Sequence, residues 1–174
     1  MSVAIRCATE ADAAVLSALS TACFIEAFGH LYEQDDLQAF LQEAHSQEAW
    51  QKLLGNPHYA TWIAGDADEA LGYATAGTCG LPHADVRAED GELKRIYLRK
   101  QLQNGGWGGK LFQVAMDWLE RDGPRTLWIG VWSQNLGAQR FYARHGFEQV
   151  GEYEFPVGRV RDLEFILRRQ ARYA

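Results

Sequence analysis

Residues 92–119 read ELKRIYLRKQLQNGGWGGKLFQVAMDWL. The run from Glu92 to Leu98 is typical of a strand, the glycines after it are typical of a turn, and apolar residues recur at helical spacing from Leu111 onward. Glycine lets a backbone approach a ligand closely, and the free N–H groups of a helix start bind anions. The segment therefore predicts a strand that leads into a phosphate site.

The spacing of this loop excludes two common kinds of phosphate site. Lys110 follows Gly109 as in the P-loop of nucleotide hydrolases, but Leu111 stands where that motif needs a magnesium-binding Ser or Thr. The same leucine breaks the glycine spacing of a dinucleotide-binding loop. The pattern that fits is Q-x-x-G-x-G, at Gln103, Gly106 and Gly108.

A second motif lies at residues 132–147, which read WSQNLGAQRFYARHGF. Asn135 is suited to cap a short helix, and Gly146 has the usual position after its end. The run fits N-x-x-A-x-x-F-Y-x-x-x-G-F, through Asn135, Ala138, Phe141, Tyr142, Gly146 and Phe147. Together the two motifs resemble the GCN5-related N-acetyltransferase (GNAT) family, which binds acetyl-CoA. The resemblance extends over essentially the whole chain.

The resemblance implies an α/β fold with a mixed, mostly antiparallel sheet of six to seven strands and helices on both faces. Strands and helices alternate along the chain in the way that such a sheet requires. A length of 174 residues suits one domain, and we expect residues 1–174 to form a single acetyltransferase domain.

Local signals predict where several elements begin and end. Thr9 is expected to cap a first helix that runs to about Ala27, and Asp36 to begin the next. Residues 156–158 predict a turn, followed by a last strand over residues 163–167.

Composition limits the classes of function. The net charge of −6 disfavours nucleic acid and anionic membranes as partners. We expect no membrane span, because no apolar run approaches the required ~20 residues. The three cysteines form no C-x-x-C pair, which predicts free thiols and a cytoplasmic location. The five histidines lack metal-ligand spacing, so no metal is expected. A homodimer is left open.

Positive charge is concentrated around the glycine loop, where a phosphate site would need it. The residues concerned are Lys94, Arg95, Arg99, Lys100 and Lys110.

The resemblance also implies which residues hold acetyl-CoA. The backbone of Ile96, Tyr97 and Leu98 is expected to pair with the pantetheine arm as an added strand would. The pyrophosphate would lie on the loop formed by Gln103, Asn104, Gly105, Gly106, Trp107, Gly108 and Gly109. In this loop Asn104, Gly105 and Trp107 depart from the common family pattern, although the N–H donors are retained.

The reaction needs a proton donor for the leaving thiolate and a base for the amine. Tyr142 matches the family's tyrosine, whose hydroxyl reaches the CoA sulfur; the alternative is a tyrosine buried for packing. Asn135 is expected to contact the cofactor or to cap its helix, and the two roles are compatible. Glu92 is the candidate base, since strand alternation places it with Ile96 and Leu98 on the central strand, where several family members place a general-base glutamate. The alternative is an exposed or salt-bridged strand residue. Glu26 and His83 are weaker candidates.

The acceptor is less defined. Phe24, Glu26 and Phe28 form either a substrate wall or ordinary core packing with a solvated glutamate between the rings. These residues, with the runs at 95–98, 128–132 and 157–167, resemble the bacterial PaiA-type polyamine N-acetyltransferases. A small amine, a polyamine first, is therefore the expected acceptor. The alternatives are a protein N-terminal or lysine acetyltransferase and a non-catalytic CoA-binding module.

Overall fold

The computed structural model describes residues 2–173. The strands are β1 (Ala4–Cys7), β2 (Tyr59–Gly65), β3 (Ala70–Thr78), β4 (Gly91–Leu98), β5 (Leu127–Trp132), β6 (Glu148–Val157) and β7 (Val160–Arg169). The helices are α1 (Ala13–Phe28), α2 (Gln34–Ala44), α3 (Gln47–Leu54), α4 (Trp107–Leu119) and α5 (Leu136–Arg144). Short 3-10 helices lie at Glu10–Asp12, Gly29–Leu31 and Lys100–Leu102.

The strands form one seven-stranded sheet in the order β1-β2-β3-β4-β5-β7-β6. The β4–β5 pair is parallel and the other neighbouring pairs are antiparallel. Helices α4 and α5 cover one face, where Phe112 and Leu93 belong to the same buried cluster. Helices α1 and α3 cover the other face, where Trp50 packs against Tyr73. The predicted fold class is confirmed.

Strand β4 contains a β-bulge at Lys94. Arg95 pairs with Thr75 of β3, but Leu93 already pairs with the following residue, Ala76, so Lys94 has no partner in that strand. An extra residue of this kind reverses the alternation of side chains along a strand.

The bulge overturns the expectation that Glu92 shares a side of β4 with Ile96 and Leu98. Leu93, Ile96 and Leu98 all pack toward the cluster under α4. Glu92 therefore lies on the opposite face, the one that Tyr97 shares with α1 and α3. The pattern of residue types gave no signal for the bulge, because alternation by twos assumes an uninterrupted strand.

Strands β4 and β5 part after a short shared stretch. Their pairing covers Gly91–Leu93 against Leu127–Ile129. Beyond it β4 continues to Leu98 and β5 to Trp132, with no pairing between them in the described chain. One side of the β4 backbone is thereby left open in the middle of the sheet.

The glycine loop has the backbone that the sequence predicts. Gly106 is the residue before α4 and has φ +81°, in the left-handed region that favours glycine. Asn104 also has positive φ, +64°, as asparagine tolerates. The loop thus turns sharply from the end of β4 into the first turn of α4.

Three predicted boundaries differ from the structure. Thr9 precedes the 3-10 helix Glu10–Asp12, and α1 proper begins at Ala13. Helix α2 begins at Gln34 instead of Asp36. Pro156 does not form a turn but pairs with Arg161, because β6 is an edge strand that needs no N–H on its outer side.

The β6–β7 hairpin is consequently long, and its tip docks on α2. Asp36 accepts hydrogen bonds from the backbone N and the Nε of Arg159, at 3.1 and 2.9 Å. Gly158 has φ +57° and contacts Asp36 so closely that a Cβ would overlap it. Hairpin and helix together form the roof over one face of the sheet.

The stretch Glu10–Leu31 has 22 residues and a mean hydropathy of 1.4, enough to cross a membrane by length and composition alone. The sequence prediction did not single out this stretch, and a core helix of a globular protein meets the same two criteria. In the fold, Leu16, Leu19 and Cys23 of α1 pack into the cluster that includes Ile63 and Tyr73 of the sheet. The apolar residues of this helix thus supply one side of the core.

Asp12 is the residue before α1, and its contacts lead to a prediction about stability. Its carboxylate accepts two hydrogen bonds from Arg6, at 2.9 and 2.7 Å, and one from the backbone N of Thr9, at 2.8 Å. The bond from Arg6 is the main reason that the pKa of Asp12 falls to about 2. Because the carboxyl pKa is lower in the folded state, the ionised carboxylate stabilises the fold at pH values above the unfolded-state pKa of about 3.9. This contribution is lost as pH falls through the folded-state pKa.

We expect Asp12→Asn to lower the free energy of unfolding by about 1–2 kcal/mol at about pH 7, as for other lost helix-start contacts. The difference from wild type should shrink toward about pH 3, where the unfolded carboxyl is already largely protonated. Urea unfolding at both pH values measures it. A penalty that does not depend on pH would contradict the charge-based account.

Candidate functional site

Two hollows meet where β4 and β5 part. The long cleft has a volume of about 700 Å³ and runs from the end of β4 to the start of α4 and along α5. The inner cavity has a volume of about 240 Å³ and lies under the roof of α2 and the β6–β7 hairpin. Both hollows are lined by Phe28, Ile96, Tyr97, Trp132, Asn135, Ala138 and Tyr142, which we call the seam.

Most of the predicted cofactor residues line the long cleft. These are Ile96, Tyr97, Leu98, Gln103, Asn104, Gly108, Gly109, Asn135 and Tyr142. Gly105, Gly106 and Trp107 do not line it. Gly105 and Gly106 form the turn before α4, and Trp107 is the first residue of that helix. Trp107 packs against the core, and Lys110 lies 4.2 Å from the centroid of its ring.

The start of α4 supplies an anion site beside the cleft. The first intrahelical bond of this turn runs from the N–H of Lys110 to Gly106, so the preceding N–H groups of the helix are free. Gly109 has open space around it, with no atom within 4 Å of where a Cβ would be. Gln103 donates from its side chain to the carbonyl of Leu98 at 3.1 Å and holds the loop against the strand end.

Of the five cations expected near the phosphates, the structure brings only Lys100 into the long cleft. Arg99 pairs with Glu26 at 2.7 Å, and Lys110 stacks on its neighbouring indole. Lys94 and Arg95 line the inner cavity instead, because they lie at and after the bulge.

Glu26 lines the long cleft and not the inner cavity, so it is separated from Phe24, another predicted acceptor residue. Its Oε1 accepts from Arg99, while its Oε2 is buried without a hydrogen-bond partner in the described residues. Phe24 lines only the inner cavity, and Phe28 belongs to the seam.

The inner cavity is walled by aromatic rings. Phe24 lies 5.2 Å from Phe28 and 4.8 Å from Phe40, and it stacks on Tyr32 at 6.0 Å, all between ring centroids. Phe155 of β6 completes this group from the hairpin side. These rings therefore have two roles, because they pack in a core cluster and also line the cavity.

Three carboxylates line the cavity: Glu92, Asp162 and Glu164. The Oε2 of Glu92 accepts from the backbone N of Gly80 at 2.9 Å and from the Nζ of Lys94 at 3.0 Å. Glu92 is only 7% exposed. Its carboxylate is therefore neutralised by one cation and also anchors the loop after β3.

Asp162 and Glu164 alternate along β7, so both face the cavity. The hydroxyl of Tyr32 donates to Asp162, and that of Tyr153 donates to Glu164 at 3.0 Å. Neither carboxylate forms an ion pair within residues 2–173. Burial raises the pKa of Glu164, against the opposing effect of the hydrogen bond from Tyr153.

Glu164, Tyr32 and Tyr153 line the cavity, although none of them was predicted as a site residue. The alternation Asp162-Leu163-Glu164 was a signal of two carboxylates on one side of a strand. Nothing in the pattern showed that this side faces the cavity.

His45 lines the cavity as a neutral ring. Its Nδ1 lies 2.9 Å from the Oγ of Ser20, which also accepts from the indole N–H of Trp50 at 2.9 Å. Burial lowers the pKa of His45 to about 3, with a smaller effect from Arg95. Arg95 itself donates to the carbonyl of Ala44 at 3.4 Å, on the same side of the cavity. Three carboxylates and two cations thus line the cavity, which gives a formal charge of −1.

Tyr142 is the largest polar side chain that α5 contributes to the seam. The N-terminus of α5 is capped by Asn135, whose side chain accepts from the N of Ala138 at 3.1 Å. The ring of Tyr142 packs against Phe112 and Phe141, and its hydroxyl has no hydrogen-bond partner in the described chain. Burial raises the pKa of Tyr142, so the hydroxyl stays protonated.

His83 lies outside both hollows, so the structure does not bring it to the candidate site. Its Nε2 lies 3.2 Å from the carbonyl of Val150, and its Nδ1 accepts from the N of Asp85 at 3.1 Å. Both ring nitrogens are therefore used to hold the loop. Residues 2–173 contain no group of His, Cys, Asp or Glu that could hold a metal ion.

Comparison with known proteins gives a consistent result. The model of the Acetyltransferase (GNAT) family matches residues 23–147. An uncharacterized N-acetyltransferase of Lactobacillus delbrueckii subsp. lactis is 28% identical over 161 residues, 92% of this chain and 93% of that protein. An uncharacterized N-acetyltransferase of Mycobacterium tuberculosis is 28% identical over 163 residues, 91% of this chain and 97% of that protein.

Solved structures share the fold at lower identity. The PaiA N-acetyltransferase of Thermoplasma acidophilum in complex with coenzyme A has a TM-score of 0.75 and 18% identity, over 98% of this chain and 99% of that one. The ribosomal-protein-S18-alanine N-acetyltransferase of Escherichia coli has a TM-score of 0.67 and 19% identity, over 99% and 96%.

Proposed function

The chain belongs to the acetyltransferase (GNAT) family and is an acetyl-CoA-dependent N-acetyltransferase, and from this premise we propose that its acceptor is a small polycationic amine, a polyamine first. The observation that carries the proposal is the pair of carboxylates on β7. Asp162 and Glu164 lie in an aromatic cavity, where each accepts a hydrogen bond from a tyrosine and neither forms an ion pair within the described residues. Half-buried carboxylates without an ion-pair partner favour a positively charged ligand.

The long cleft suits acetyl-CoA in shape and in polar groups. The unpaired side of β4 at Ile96–Leu98 offers N–H and C=O groups to the amides of the pantetheine arm, as an added strand would use them. The loop from Gln103 to Gly109 and the first turn of α4 receive the pyrophosphate. The buried, unpaired Oε2 of Glu26 is an acceptor for an N–H or O–H group in the cleft.

Tyr142 is the proposed proton donor. It lies at the seam, where a thioester in the long cleft would meet an amine in the inner cavity. A hydroxyl kept protonated by burial can donate to the departing thiolate.

Glu92, the base proposed from sequence, lies at the cavity wall but its Oε2 already accepts from Gly80 and Lys94. The variant Glu92→Gln tests whether Glu92 is the base.

The aromatic walls of the cavity suit a polyamine, which carries cationic ammonium groups on an apolar chain. Ring faces attract ammonium groups, and the methylene chain of a polyamine packs on the same rings. A neutral His45 adds no positive charge to oppose this.

A protein N-terminus or lysine as acceptor is the second candidate, since a structural neighbour acts on ribosomal protein S18. The roof formed by α2 and the β6–β7 hairpin, joined through Asp36 and Arg159, favours the small amine. A CoA-binding module without catalysis is disfavoured by the free hydroxyl of Tyr142 at the seam.

The test is release of free thiol from acetyl-CoA with matched acceptors. Putrescine and butylamine have the same carbon chain and differ by one amino group, and a peptide with an N-terminal alanine represents proteins. We expect kcat/KM for putrescine or spermidine to exceed that for butylamine by about 10-fold or more, as for one extra buried charge contact. Preference for the peptide, or no turnover with retained CoA binding, would support the corresponding alternative.

A further inference from the structure

We propose that Glu164, and not Glu92, takes the proton from the reacting ammonium. This inference rests on the proposed function, since it concerns the base of the same reaction. A primary ammonium has a pKa near 10, so only about one molecule in 1000 is neutral at pH 7. A base next to the amine is therefore worth a large factor in rate.

The position of Glu164 is set by the sheet. In the register of β5 and β7, Glu164 pairs with Trp132, which is a seam residue. Its Oε2 lies 3.4 Å from where a Cβ on Gly130 would be, so the carboxylate extends over the β5 backbone. Glycine at position 130 leaves the room that this carboxylate and the hydroxyl of Tyr153 occupy.

Because of the bulge at Lys94, Glu92 has a cation as a partner and Glu164 does not. It places the ammonium of Lys94 on the Oε2 of Glu92, which is thereby neutralised and held by Gly80 as well. Glu164 has one neutral donor, Tyr153, and no cation. Glu164 and the seam residue Tyr97 both line the inner cavity.

Asp162 is two residues further along β7 and is held by Tyr32. It is placed to bind a second ammonium of the acceptor, which leaves Glu164 for the reacting one. The two carboxylates thus divide the substrate between a holding group and a proton acceptor.

In the proposed step, the ammonium gives one proton to the Glu164 carboxylate, and the freed nitrogen lone pair forms the C–N bond to the thioester carbonyl carbon. The C–S bond breaks, and the sulfur takes a proton from the Tyr142 hydroxyl. The second proton lost by the nitrogen restores Tyr142, and the proton on Glu164 is released to solvent.

The test compares Glu164→Gln with Glu92→Gln and Asp162→Asn, each nearly isosteric. With putrescine at about pH 7, we expect Glu164→Gln to lower kcat about 50-fold, within the range for a lost general base. Glu92→Gln should change kcat by less than about 5-fold, and Asp162→Asn should mainly raise KM, since binding and proton transfer are then separate.

Two readouts separate proton transfer from a structural role. An aminooxy acceptor is already neutral at the assay pH, so Glu164→Gln should lose only about 5-fold with it, and rising pH should restore the rate with putrescine. Equal losses with both acceptors, or a larger loss in Glu92→Gln, would overturn the proposal. Thermal unfolding and acetyl-CoA binding establish that each variant folds.

Tyr153→Phe provides a second variant in case Glu164→Gln does not fold. Removing the hydroxyl deletes the bond that lowers the pKa of Glu164, so that pKa rises. The acid limb of kcat/KM should then move to higher pH, and an unmoved limb would contradict the role of Glu164. If wild type does not prefer putrescine to butylamine, the proposed acceptor class fails while these pH results still test the base.

Discussion

Replacing Tyr142 by Phe is expected to lower kcat about 1000-fold, at the middle of the range for a lost general acid. The hydroxyl is the only part removed, and the ring keeps its packing against Phe112 and Phe141. Without the hydroxyl the thiolate must leave unprotonated into a buried seam, which costs free energy in the transition state. Steady-state kinetics at saturating amine measure the change.

The affinity for acetyl-CoA and the thermal midpoint should stay close to wild type, because the hydroxyl has no partner within the described chain. Tyr97→Phe removes a neighbouring seam hydroxyl and is the matched control, with an expected loss below about 10-fold. The raised pKa of Tyr142 keeps the acid form present, so wild-type activity should not fall through its ionisation at moderately alkaline pH. A Tyr142→Phe enzyme with nearly full kcat would remove the tyrosine from the chemistry.

The second large effect is expected from Gly109→Glu, which should weaken acetyl-CoA binding about 300-fold. Gly109 lies in the first turn of α4, lines the long cleft and has no atom near its Cβ position. A carboxylate there meets the diphosphate at a few ångström, where repulsion in a partly solvated site is of order 3–4 kcal/mol. The positive end of the helix would also be neutralised by the new side chain.

The same change should not harm the fold, because glutamate favours a helix more than glycine does and is stabilising in a first turn. Gly109→Gln has the same size without the charge and should weaken binding far less. Titration of acetyl-CoA by calorimetry, repeated at higher salt, measures both variants. Equal losses for Glu and Gln would mean that bulk and not charge determines the effect, and no loss would move the pyrophosphate away from this turn.

The residues that line the long cleft could be predicted from sequence because their signals are local. Gln103, Gly106 and Gly108 lie within six positions, and the residues around Asn135 lie on one short helix. In such segments spacing along the chain nearly fixes spacing in the fold. The glycine before α4 and the asparagine cap of α5 both have the predicted geometry.

The inner cavity could not be predicted in the same way, because the residues that line it are distant from one another in sequence. Tyr32 and Asp162 form a hydrogen bond across 130 residues, and the roof joins Asp36 to Arg159 across 123. Glu92 was assigned to the wrong side of β4 for a different reason, since one unpaired residue at position 94 reverses the alternation of side chains. Neither the bulge nor the long hairpin through Pro156 can be recognised from residue types alone.

The parting of β4 and β5 has a consequence for the energetics of the whole domain. The parted strands leave backbone donors and acceptors unpaired inside the fold, which a ligand lying along β4 would saturate. By mass action a ligand that binds the native state alone stabilises it by RT ln(1 + [L]/Kd), about 2.7 kcal/mol at 100 times Kd. Acetyl-CoA bound along β4, as proposed, would then stabilise the native state as well as react.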